Sequence, residues 1–249
     1  LSTVHRSVAG APGGADSVLC AEPALDADHA SIAAPDFLPY PPEPLEVAWR
    51  DQLAARQEFG DIDSYRYDLV DVTRQVLSNR ARVLLPLLRT AFLSGDLARF
   101  ESLRNSFMEL FDILEPVLAT RREFLLGPWL ADARSWGEDD AEADALEFDA
   151  RTLITTWSDT TQRSPLLYDY GNREWAGLLG DFHRPRWNTY LDSLADSLRS
   201  GEPPVAIDFA TQAVRWTRRH DRFATEPDGD CVAAAMGVHY AVTYFEGLP

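Results

Sequence analysis

Two groups of carboxylates have the residue types and spacing that acid–base chemistry uses: Asp68 with Asp71, and the run Glu138, Asp139, Asp140, Glu142 and Asp144. A carboxyl held neutral beside one held ionised could serve as general acid and base. Local chemistry offers each group a simpler role. Asp68 and Asp71 lie within a helical turn of Arg66 and Arg74 and read as ion pairs. The acidic run reads as a helix start, where free backbone N–H groups favour negative charge. The five histidines, His5, His29, His183, His220 and His239, are scattered. None stands three residues after a glutamate, so the E-x-x-H signature of a carboxylate-bridged metal bundle is missing; a lone one such as His183 reads as a surface or satisfied core group. H-E-x-x-H, G-x-S-x-G, G-x-G-x-x-G and EF-hand patterns are absent too. No catalytic residue, no metal ligand and no cofactor is therefore expected of this chain.

Composition narrows the remaining classes. With no lysine in 249 residues, Schiff-base and P-loop lysine chemistry are out of reach. Forty acidic against 23 basic residues leave a net charge of −17, which repels a phosphate backbone and an anionic bilayer, so neither nucleic acid nor a membrane is an expected partner. The apolar run Val83 to Leu88 is far shorter than the roughly 20 residues that span a bilayer. Cys20 and Cys231 sit near opposite ends with no C-x-x-C spacing, and read as two free thiols; a bridge would need their Cα atoms within about 7 Å. The sequence opens on Leu1, and its first 20 residues show no basic stretch followed by an apolar one, so it reads as part of a longer protein.

Behind those residues stands an all-α chain. Residues 1 to 42, rich in Ala, Gly, Pro and Asp, show no sustained period and read as an irregular N-terminal linker segment; residues 43 to 249 read as one helical domain. The prolines before LEVAWRDQLAARQ suit a helix's first turn. A second helix is predicted over 64 to 93, capped by Asp63 or Ser64, kinked at Pro86, with Leu69, Val72, Val76, Val83 and Leu87 on its inner side. Residues 96 to 118 carry the cleanest stripe: Phe100, Leu103, Phe107, Leu110, Leu114 and Leu118, at steps of three and four. Further helices are predicted over 122–135, 140–157, 170–182, 186–200, 205–222 and 230–244, giving a bundle of about eight or nine.

Four segments carry more than periodicity: SYRYDLVDVTRQVLSNRA at 64–81, LATRREFLLGPWLADARSW at 118–136, EADALEFDARTLITTW at 142–157 and YDYGNREWAGLLGDFHRPRW at 168–187. In this order they resemble the C-terminal region of the α-N-acetylglucosaminidase family, glycoside hydrolase family 89, and SVLCAEPALDADHA at 17–30 resembles the linker leaving that family's barrel. The resemblance implies an enzyme of three parts: a small N-terminal domain, a TIM-like barrel with two catalytic glutamates, and a helical domain on the barrel's active-site face. This chain resembles the third part. Its implied partners are the catalytic barrel domain of the same polypeptide and a terminal α-N-acetylglucosaminide sugar. The implied reaction is retaining hydrolysis, with one carboxylate as nucleophile and the other as acid and then base. Trp157, Leu167 and Tyr170 match positions that wall the family's sugar pocket. Flat rings suit that role, since they offer an apolar face to the C–H groups of a pyranose.

Arg151, Arg173, Arg186 and Asp169 also match family positions and read as ties between helices. Trp129, Trp175 and Trp187 read as packing anchors. The sequence departs from the family pattern after Trp157, where Ser158, Asp159 and the longer TQRSPLLY precede Asp169, and at Thr211, which replaces a glutamate. Without a barrel to complete, the same chain would act as a helical binding or interaction module.

Overall fold

The computed structural model describes residues 16–31, 34–157 and 168–245. Among these residues the α-helices are α1 (Glu43–Ala54), α2 (Arg56–Phe59), α3 (Asp63–Leu93), α4 (Leu97–Ala119), α5 (Leu126–Ser135), α6 (Asp140–Leu153), α7 (Arg184–Ser200), α8 (Phe209–Thr217) and α9 (Cys231–Phe245). A π-helical turn, Leu179–His183, leads into α7. The fold is all-α; the extended pairing among the described residues is one parallel bridge, Leu125 to Ala176. No described helix is long and apolar enough to cross a membrane.

Helices α3 and α4 form a central hairpin, with α1 and α9 against α3 and α7 against α4. The stripe of α4 is buried as predicted at Phe100, Phe107, Leu110, Leu114 and Leu118, while Leu103 is partly covered. Helix α3 differs from expectation in two ways. It has no side-chain cap, since Ile62 holds the capping position and Asp63 is already the first helical residue. Its stripe also turns. Leu69, Val72 and Val76 are buried, but Val83 and Leu87 are 49% and 39% exposed, and Leu85, Leu88 and Ala91 face inward instead. Along its C-terminal half α3 packs on α4, where Phe92 meets Phe100 at 6.0 Å, so a different side of the same helix is covered. The helix continues through Pro86, one turn before the Thr90 hydroxyl donates to the Pro86 carbonyl at 2.9 Å.

The described residues before α1 carry a single 3-10 turn, Val18–Cys20, whose three residues are buried, Val18 and Leu19 within the main core. Leu19 offers its carbonyl to the Trp187 indole N–H at 3.2 Å, and the Leu25 N–H donates to the Tyr190 hydroxyl at 3.1 Å. Trp187 is fully buried against Phe107 at 4.8 Å, an anchor at the start of α7. Cys20 and Cys231 are both buried and free.

Helices α5, α6 and α8 enclose a second, smaller core of Leu126, Leu130, Ala150, Ile154, Leu178, Phe182, Ala213 and Trp216. The helix predicted over 170–182 is not one element: residues 168–171 turn, 172–175 have no regular secondary structure, and only the π-helical turn follows. Its irregular start is held by Glu115 of α4, whose carboxylate accepts the Gly177 N–H at 2.5 Å and the Gly180 N–H at 3.0 Å. Burial pushes the Glu115 carboxyl above its usual range, although the two backbone donors act the other way.

Candidate functional site

Helix α6 begins with an Asp139 cap on the Glu142 N–H and ends at Leu153. Beyond it the chain tightens. The Thr155 hydroxyl donates back to the Arg151 carbonyl at 2.7 Å, and the Trp157 N–H donates to the Thr152 carbonyl at 2.8 Å. Trp157 has φ 62°, a left-handed conformation that a bulky side chain rarely adopts. On the far side of residues 158–167, Asp169 has φ 56° and donates its N–H to the Thr155 carbonyl at 2.9 Å.

This double turn brings the rings of Trp157 and Tyr170 together edge to face, with centroids 4.8 Å apart and planes at 74°. Trp157 is half-buried and Tyr170 is 42% exposed, so the pair presents aromatic surface to solvent. Gly171 explains how the chain passes so close. A Cβ there would lie 2.3 Å from the Leu153 carbonyl oxygen and 3.3 Å from the Trp157 ring. Of the three residues matched to a sugar wall, Trp157 and Tyr170 are therefore in contact; Leu167 lies outside the described residues.

Arg186 of α7 holds Asp169 through both terminal nitrogens, at 3.3 and 3.2 Å, and both side chains are buried. Its guanidinium also lies over the rings of Phe182 at 4.6 Å and Tyr168 at 5.8 Å. Burial works against its charge, but Asp169 outweighs that effect and holds Arg186 above its usual range. Arg173 instead donates to the Gly171 and Asn172 carbonyls on the exposed side of the turn.

The chain continues to Glu174, whose carboxylate accepts from Arg74 at 2.5 Å and from the Ser78 hydroxyl at 2.6 Å. Arg74 also binds Asp71 at 2.7 Å, as the spacing suggested, whereas Arg66 reaches Asp230 at 3.0 Å. A polar hollow of about 260 Å³ opens here, lined by residues including Asp16, Asp71, Arg74, Asn172 and Arg173.

A separate charged cluster lies under α6. Glu147, 1% exposed, accepts from Arg134 at 2.8 Å, Arg151 at 2.8 Å and Arg222 at 3.1 Å. Burial alone would raise its pKa, but the bonds from Arg151 and Arg134 prevail and hold it below the usual 4.5. Arg151, fully buried, lies over the Trp216 ring at 4.7 Å and donates to the Asp221 carbonyl at 2.9 Å. Asp144, Glu147 and His220 bring atoms able to ligate a metal within 4.8 Å of one another. With three guanidiniums on Glu147, the charge there is already balanced, and the grouping is an ion-pair network.

Sequence reasoning read Arg151 and Arg186 as ties but missed their partners' depth and the whole role of Glu115. The Glu147 to Arg151 pair had a signal in its spacing of four; Glu115, 62 residues from Gly177, had none. His183, read as a surface or satisfied group, is neither: it is fully buried, with no hydrogen-bond partner on either ring nitrogen among the described residues. Burial and then the Arg186 charge push its pKa well below the usual value, keeping it neutral. Trp129 and Trp175 contact each other at 6.0 Å, and the Trp129 indole donates to the Ala150 carbonyl, as anchors do. Thr211 donates its hydroxyl to the carboxylate of the Asp208 cap at the start of α8.

Residues 1–240 match the model of the Alpha-N-acetylglucosaminidase (NAGLU) C-terminal domain. Human alpha-N-acetylglucosaminidase is 32% identical over 196 residues, which are 77% of this chain and 26% of the human protein. The fold is similar to the family 89 glycoside hydrolase of Clostridium perfringens in complex with 2-acetamido-1,2-dideoxynojirmycin, with a TM-score of 0.87 at 30% identity, covering 92% of this chain and 27% of that one. It is similar also to a doubly Glu-to-Gln variant, CpGH89 from Clostridium perfringens, in complex with its substrate GlcNAc-α-1,4-galactose; there the TM-score is 0.89 at 30% identity, over 95% of this chain and 28% of that one. The chain thus spans between a quarter and a third of the length of these relatives. On a match that runs through nearly all of its length, the chain belongs to the family of α-N-acetylglucosaminidase C-terminal domains.

Proposed function

We propose that this chain packs on a catalytic barrel of the same polypeptide and, with Trp157, Tyr170 and Leu167, walls a pocket for a terminal α-linked N-acetylglucosamine. The observation that carries this reading is the near-complete likeness to one part of a larger hydrolase that is solved with its substrate. The aromatic pair supports it, because a half-buried indole fixed against an exposed phenol is a preformed, rigid surface for a sugar ring.

The chemistry is assigned to the barrel. Retaining hydrolysis needs two carboxyl groups about 5 to 5.5 Å apart, one ionised and one protonated. Here the buried carboxylates Glu147, Asp169 and Glu174 are each bound by arginine, an arrangement that ties segments together. Glu115, whose pKa is raised, gives both oxygens to backbone donors of a helical turn.

The test is hydrolysis of a chromogenic α-N-acetylglucosaminide by the longest polypeptide encoded with this chain, beside residues 1–249 alone. The long product is expected to cleave it and the chain alone to be inactive. Trp157→Ala in the long product should lower kcat/KM by about 10- to 100-fold, mainly through KM. Cleavage unaffected by that substitution would remove the sugar-wall role, and absence of cleavage by either product would leave a helical binding module.

A further inference from the structure

The two described non-glycine residues with positive φ are Trp157 and Asp169, and both belong to the same corner. Aspartate tolerates the left-handed region; a bulky tryptophan does not, so its conformation must be imposed by its surroundings. Asp169 is the point at which those surroundings are fixed. Its N–H binds the Thr155 carbonyl two residues before Trp157, its carbonyl accepts the Asn172 N–H at 3.1 Å, and its carboxylate is clamped by Arg186. Arg186 in turn is set by the aromatic faces of Phe182 and Tyr168. Tyr170 follows Asp169 directly, so the clamp fixes the backbone from which one ring of the pair projects and touches the backbone that carries the other.

We infer that Asp169 and Arg186 are positioning residues for the Trp157–Tyr170 pair: their buried ion pair sets the angle and depth at which the rings meet the sugar. This rests on the sugar-wall reading above. A buried ion pair adds little stability over well-packed apolar side chains of the same volume. Its two-pronged geometry does constrain orientation, and orientation is what an aromatic wall requires.

The experiment uses the longest polypeptide encoded with this chain and compares Asp169→Asn, Arg186→Lys and Trp157→Ala. Asparagine keeps the shape of aspartate and its tolerance of positive φ; lysine keeps the charge and loses the fork, and is the measurement to rely on if the first variant does not fold. Subtracting the near-ultraviolet circular dichroism of Trp157→Ala from that of the parent isolates the band of the edge-to-face pair. Both clamp variants are expected to lose that band and to raise KM by about 10-fold or more with kcat changed far less. Retention of the band and of KM in both variants, with only a lower melting temperature, would reduce the pair to a structural tie and overturn the inference. If Trp157→Ala raises KM while the clamp variants do not, the inference fails and the sugar wall stands. If Trp157→Ala itself leaves KM unchanged, the sugar wall fails and the inference falls with it.

Discussion

The larger core, between α1, α3, α4, α7 and α9, is closed by apolar side chains, many of them on the long helices α3 and α4, with Phe107, Phe111 and Trp187 fully buried. The smaller core, between α5, α6 and α8, has fewer apolar residues and lies beside charges: Arg151 with Glu147, and Arg186 with Asp169, all below 3% exposure. Long helices can bury enough apolar area to fix their own arrangement. Short ones cannot, and here directional bonds from guanidinium groups supply the orientation that packing leaves loose. The aromatic pair sits just past the end of α6, beside the Arg186–Asp169 pair.

That contrast can be broken by substitution. In the larger core, Phe107→Ala removes a ring packed on Trp187 and Phe111 and should destabilise the fold by about 3 to 5 kcal/mol, read as a shift in urea midpoint. In the smaller one, Glu147→Gln keeps the volume but withdraws the charge from Arg134, Arg151 and Arg222; the expected loss is about 2 to 3 kcal/mol at neutral pH. A loss at Glu147 as small as that at a surface pair would show that apolar packing alone holds α6.

Acid sharpens the same comparison. Because the folded pKa of Glu147 lies below its usual 4.5, its contribution is present above that value and disappears as pH falls further, through the folded pKa. The stability difference between the parent and Glu147→Gln should therefore shrink as pH drops below about 4.5, whereas that between the parent and Phe107→Ala should not change. The smallest effect is expected at Asp112→Asn, which breaks the exposed pair with Arg184 and should cost about 0.5 kcal/mol or less.

The same division marks what could be read in advance. The stripe of α4 was legible because residues three and four apart share a face whatever lies opposite. In α3 the reading held only to Val76, since which side is buried further along depends on where α4 lies. The corner at Trp157 was legible only through resemblance. Nothing in the order of residues announces a left-handed tryptophan, a glycine needed for close approach to Leu153, or a carboxylate in α4 that secures a turn 62 residues on.

Sequence by itself determined the helical class, the buried stripe of α4 and the kinship with one part of a hydrolase, because each is written in local spacing or in the order of residues. Tertiary structure decided which arginine meets which carboxylate, that His183 is buried and neutral, and that Trp157 and Tyr170 touch at a fixed angle. Those depend on distances between segments far apart in the chain, and such distances exist only once the helices have packed.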